Sequence, residues 1–75
     1  MRVSVQAFAN LKAYAPGGDG EVSLPEGATV RDLLARLAIP PGVEAVVLVN
    51  GRRAGGEQRL SAGDRLVLFP PMEGG

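Results

Sequence analysis

Val3, Val5 and Ala7 alternate with Arg2, Ser4 and Gln6, the period of two expected of a strand with one buried face. Phe8 follows out of phase, on the polar side of that pattern. Ala15 to Gly20 is dense in turn formers and predicts a loop, with a second strand around Glu21 to Leu24 completing an N-terminal hairpin. The period then lengthens: Val30, Leu33, Leu34, Leu37 and Ala38 share one face of a helix predicted from Val30 to about Ala38. Thr29, with Asp32 three residues on, supplies a capping-box start. Pro40-Pro41-Gly42 marks its end, because proline lacks a backbone N–H and turns the residue before it away from helical angles.

Ala45-Val46-Val47-Leu48-Val49 is a β-rich apolar run closed by Asn50-Gly51, a tight-turn pair, after which Arg52-Arg53-Ala54 returns as a short strand. Leu60-Ser61-Ala62-Gly63-Asp64 is a further turn, delivering a last strand over Arg65 to Phe69. The order ββ, helix, ββ predicts an α+β fold, a mixed four- to five-stranded sheet packed on one main helix. Residues 1–71 form the domain and residues 72–75 a flexible tail.

Val46 to Val49 and Leu66 to Phe69 are apolar at every position, so both faces of these strands avoid water. One helix covers one face. The other is covered either by the segments Asn10 to Tyr14 and Arg53 to Leu60, or by a partner protein. Phe8, one of three aromatic residues and out of phase with its strand, favours the partner, with Phe69 as the second docking residue.

Composition narrows the chemistry. At 75 residues the chain makes one small domain, with little room for an enclosed active site beside its core. Eight basic and eight acidic side chains balance, which leaves no long-range field for nucleic acid or an anionic membrane. The sequence contains neither cysteine nor histidine, removing disulfides, thiolate nucleophiles, the usual general base and the commonest metal ligands, so no metal site is expected. No apolar run approaches the roughly 18 residues of a membrane span, and a soluble cytoplasmic protein is expected.

What remains is the end of the chain. Pro70-Pro71 stops sheet pairing and favours an extended exit, and Met72-Glu73-Gly74-Gly75 adds a tail whose glycines thread a narrow channel without side chains to obstruct them. A bare Gly-Gly terminus is by itself more often a frayed end. The ordered series before it changes that balance. It runs Phe8-Ala9-Asn10-Leu11-Lys12, Leu24-Pro25-Glu26-Gly27-Ala28-Thr29-Val30-Arg31-Asp32-Leu33-Leu34, Val49-Asn50-Gly51, Leu60-Ser61-Ala62-Gly63-Asp64-Arg65-Leu66, then Leu68-Phe69-Pro70-Pro71.

Across essentially its whole length this series resembles the MoaD/ThiS family of sulfur carriers, ubiquitin-like β-grasp proteins, and its Phe-Pro-Pro approach is most similar to the molybdopterin synthase small-subunit branch. The resemblance implies that an E1-like adenylating enzyme (MoeB/ThiF-like) uses ATP to convert the Gly75 carboxylate to an acyl-adenylate. A cysteine desulfurase or rhodanese then supplies the sulfur of a thiocarboxylate. The molybdopterin synthase large subunit (MoaE-like) receives the tail, and the sulfur passes to cyclic pyranopterin monophosphate. On this reading the chain binds no cofactor and has no activity alone; it is the small subunit of a sulfurtransferase complex. Gly75 is the reacting residue, Gly74, Glu73, Met72, Pro71 and Pro70 are read by partners, and Phe8, Phe69 and Arg53 fall on the family's docking surface. Met72-Glu73 departs from the small or neutral pair usual before the glycines, and Arg53 stands where an apolar residue is common. Other members serve thiamine, thiolated tRNA or tungsten cofactor synthesis, or join target lysines as protein modifiers, and these pathways remain open alternatives.

The other patterns carry less. Gly17-Gly18 and Gly55-Gly56 lack the lysine and following helix of a phosphate loop and read as turns. Asp32 and Asp64 read as a helix cap and a turn residue. Lys12, the single lysine, reads as a surface residue, and Arg52, Arg53, Arg59 and Arg65 as solvated charges or contacts to an acidic partner.

Overall fold

The computed structural model describes residues 1–15 and 19–71. Its strands are β1 (Arg2–Ala7), β2 (Asp19–Ser23), β3 (Val46–Val49), β4 (Arg52–Arg53) and β5 (Arg65–Phe69), with one α-helix, α1 (Val30–Arg36), between β2 and β3. They form one five-stranded sheet in the order β2-β1-β5-β3-β4. β1 and β5 are parallel, with Val5 opposite Leu66 and Ala7 opposite Leu68, while the remaining pairs are antiparallel. The expected mixed sheet on one helix is present.

Alternation sorts each strand into two faces. Val3, Val5, Ala7, Val47, Val49, Leu66 and Leu68 are buried on the inner face, in one core with Val30 and Leu33 of α1. Leu11, Ala15, Leu24, Ala28 and Leu60 close the margins of that core. Residues 9–14, which include the Asn10 to Tyr14 segment considered as a cover for the second face, form a 3-10 helix that drops Leu11 into the core with none of its surface exposed. The segment therefore caps the inner side and leaves the outer sheet face open.

The helix start is as the sequence predicts. Asp32 N–H donates to Thr29 Oγ1 at 3.2 Å and Thr29 N–H to Asp32 Oδ2 at 2.9 Å. Val30 and Arg31 N–H donate to the carbonyls of Gln58 and Gly56, both at 2.9 Å. All the amide donors that an α-helix leaves unpaired at its first turn are thus occupied. The Gly55-Gly56 segment buttresses the helix rather than presenting amides to an anion.

The helix end differs from expectation. It stops at Arg36, ahead of the prolines, in a left-handed turn: Ala38 has φ 59°, its N–H donates to Ala35 O at 3.0 Å, and Ile39 N–H donates to Leu34 O at 3.2 Å. This is a Schellman closure with alanine where glycine is the usual residue. Ala38 is exposed and does not share the buried helical face assigned to it from periodicity. Ala38→Gly relieves the left-handed strain at some entropic cost, and we expect a net gain of about 0.5–1 kcal/mol. Thermal unfolding followed by circular dichroism should show a melting temperature higher by roughly 3–6 °C.

Asn50 (φ 52°) and Gly51 (φ 86°) make the two-residue turn between β3 and β4. Asn50 also ties that hairpin to β5, accepting from Arg65 N–H on Oδ1 at 2.9 Å and donating to Asp64 Oδ1 at 2.9 Å. Asp64 Oδ2 accepts from Ser61 N–H at 2.8 Å, so Asp64 holds the turn before β5 as expected.

Candidate docking face and tail exit

The outer face of the sheet carries two kinds of surface. Arg2, Ser4 and Gln6 of β1 stand beside Glu21 and Ser23 of β2, and the Arg2 guanidinium lies 3.4 Å from the Glu21 carboxylate. Across the other half run Val67 and Phe69 of β5 with Val46 and Leu48 of β3, all half-buried. Register places Leu48 opposite Val67 on one side and opposite Arg53 on the other. Both surfaces are open: the groove between Ser4, Gln6, Glu21 and Arg65 holds about 440 Å³ without enclosing it.

Phe8 completes the apolar half. Its backbone is extended (φ −122°, ψ 157°), and its N–H donates to Leu68 O at 3.0 Å, continuing the β1–β5 ladder by one residue. Alternation turns the ring away from the core, and it is 43% exposed, the one large exposed hydrophobe among the described residues. Ala9 follows at φ 57°, a left-handed conformation unfavourable to alanine, and this turn starts the 3-10 helix that holds Phe8 outside. The out-of-phase position read from the sequence thus becomes an exposed ring at a strand end.

Because β1 and β5 run in the same direction, Phe8 and Phe69 leave the sheet at the same end. Pro70 and Pro71 follow Phe69 there, both half-buried. Arg53 is exposed at the β4 margin of the same face. The structure therefore gathers Phe8, Phe69, Pro70 and Pro71 at the exit and puts Arg53 beside the apolar stripe that leads to it. Met72, Glu73, Gly74 and Gly75 lie outside the described residues, as do residues 16–18.

Sequence reasoning named Phe8 and Phe69 but not Val46, Leu48 and Val67 individually. The signal was present, since uninterrupted apolar strands must put alternate residues on the outer face; the strand order needed to join them was not. Among the described residues no cluster of three or more histidine, cysteine or acidic side chains is placed to hold a metal ion, and no helix is long and apolar enough to cross a membrane.

A five-stranded mixed sheet folded around one short helix, with the last strand central and paired in parallel with the first, defines the ubiquitin-like β-grasp class. Residues 5–75 match the ThiS family, and the chain belongs to it. No curated protein sequence matches. Among solved structures, SAMP1 of Haloferax volcanii superposes with a TM-score of 0.80 at 30% identity, covering 100% of both chains. A candidate molybdopterin converting factor subunit 1 from Pyrococcus furiosus gives 0.79 at 30% identity, covering 95% of this chain and 98% of that one. A chain of the Amycolatopsis orientalis BexX/CysO complex gives 0.60 at 27% identity, with 97% and 99% covered.

Proposed function

We propose that this chain is a sulfur carrier whose Gly75 carboxylate is adenylated and converted to a thiocarboxylate, donating sulfur in molybdopterin biosynthesis. The observation that carries the reading is the convergence of Phe8, Phe69 and Pro70-Pro71 at one end of the apolar half of the outer sheet face, with Met72-Glu73-Gly74-Gly75 following in the sequence. The family and the P. furiosus neighbour, named for molybdopterin conversion, support it.

A free carboxylate is a poor acyl donor. Attack of its oxygen on the α-phosphorus of ATP expels pyrophosphate and leaves a mixed anhydride with AMP. The outer sulfur of a donor persulfide then adds at the acyl carbon and AMP departs, leaving an acyl disulfide; attack of a second thiol on the donor cysteine sulfur breaks that S–S bond, forms a disulfide between the two thiols and releases the thiocarboxylate. These steps need groups that orient the carboxylate and offset the charge of the phosphates, and an E1-like adenylating partner supplies them; a cysteine desulfurase or rhodanese supplies the sulfur and a thiol the two reducing electrons. The carrier contributes position: docking through its outer face delivers the carboxylate to a preorganised site and converts a collision into a local reaction. The large subunit of molybdopterin synthase then takes the sulfur.

The test is the intact mass of the chain after incubation with its adenylating enzyme, ATP and a sulfur donor. We expect a gain equal to the difference between one sulfur and one oxygen atom, dependent on ATP; no gain rejects the carrier reading. The H. volcanii neighbour, a small archaeal modifier protein, favours a second reading in which Gly75 is joined to lysines of other proteins. Conjugates that survive thiol reduction in cells distinguish it.

A further inference from the structure

We propose that the outer sheet face docks a sulfur-accepting protein whose contact surface carries carboxylates beside an apolar patch, and that Arg53 and Arg65 set the direction in which the domain, and hence its tail, lies on that partner. The inference rests on the carrier reading above and adds the partner's chemistry and orientation.

The face is polarised along the strands. Phe8, Phe69 and Val46 gather at the exit end, while Arg65 begins β5 at the opposite end, beside the Asn50-Gly51 turn. Arg53 stands across Leu48 from Val67, at the β4 margin. Strand spacing of about 4.8 Å and a rise of about 3.3 Å put the Arg53 and Arg65 Cα atoms roughly 12 Å apart.

Neither guanidinium has a carboxylate within ion-pairing distance among the described residues. Glu21 lies on β2, beyond β1, where Arg2 engages it, and the Asp64 carboxylate before β5 accepts from Asn50 Nδ2 and Ser61 N–H. Both carboxylates are thus engaged within the chain, while Arg53 and Arg65 have no such partner among the described residues. An apolar stripe alone permits several sliding registers and both directions of approach. Charges set away from the exit, Arg65 at the far end and Arg53 at the β4 margin level with Val67, remove that degeneracy, because reversing the domain would bring the partner's carboxylate for Arg65 against Phe8 and Phe69 and leave it desolvated without a partner.

Arg52 supplies the internal comparison. It pairs with Val49, an inner-face residue, so its position alternates to the side away from the stripe, although it is exposed and adjacent in sequence. The experiment titrates the molybdopterin synthase large subunit from the same organism with wild-type chain, the double variant R53E/R65E and R52E, at low and high ionic strength. All three substitutions are at exposed positions, and melting curves confirm that each variant folds. We expect the double variant to bind roughly tenfold more weakly at low salt, with the gap narrowing in about 0.5 M salt, and R52E to bind as wild type. Equal binding by all three, an equal loss in R52E, or no binding by the wild-type chain would overturn the proposal. Thiocarboxylate formation by the same wild-type chain, read by mass, reports separately on the carrier reading: the mass gain can persist while the charge effect fails, and the converse.

Discussion

A chain shortened by Gly75 alone should fold with an unchanged melting temperature and gain no sulfur. The loss should be complete rather than partial, because shortening moves the terminal carboxylate by about 3.3 Å, one residue of extended chain, out of reach of a phosphorus it must contact directly. Docking should survive, since the apolar stripe and Phe8 belong to the folded domain. Intact mass after exposure to the adenylating enzyme, ATP and sulfur donor checks the first claim, and a binding titration against the same enzyme checks the second. Sulfur loading of the shortened chain at the wild-type rate would remove Gly75 from the chemistry. Loss of docking together with loading would instead make the terminal residue part of the recognised surface.

Leu68→Ala should remove about half of the domain's stability. Leu68 has no exposed surface, opposes Ala7 of β1 and Val47 of β3, and so lies at the junction of the strands that join the two halves of the sheet. Truncating a buried leucine costs about 2–5 kcal/mol, the upper part of that range applying where neighbours cannot collapse into the space. Backbone pairing on both sides of β5 restrains them here. A domain of this length has about 4–11 kcal/mol in total. Urea titration should show the midpoint falling by half or more, whereas Leu48→Ala on the half-buried outer face should lower it much less. Equal effects at the two positions would contradict the assignment of inner and outer faces.

How much of this was legible in the sequence varies with the physics of each part. Strand periods, the Thr29–Asp32 cap and the Asn50-Gly51 turn are local and were readable, because each depends on side chains within a few residues. The helix end was misplaced: prolines at 40 and 41 drew attention from Ala38, and nothing in an alanine announces a left-handed turn. The 3-10 helix was missed for a related reason, since only Leu11 in its stretch marks a buried position. The clamp of Gly56 and Gln58 on the helix start is made by backbone atoms and has no side-chain signature. The exposure of Phe8 was legible from its phase error. The stripe of Val46, Leu48 and Val67 required knowing that β5 lies between β1 and β3, a long-range fact that no local pattern contains.

The place of β5 also bears on timing. The strand that completes the sheet is the last to leave the ribosome, and until it inserts, β1 with β2 and β3 with β4 are two hairpins without a common core. Pairing across some sixty residues is slow relative to local contacts. A nascent or damaged chain therefore has no continuous apolar stripe to offer, since Val67 and Phe69 arrive with β5 itself. An adenylating enzyme that reads the stripe before it spends ATP would, by that dependence alone, charge only molecules whose folding has finished.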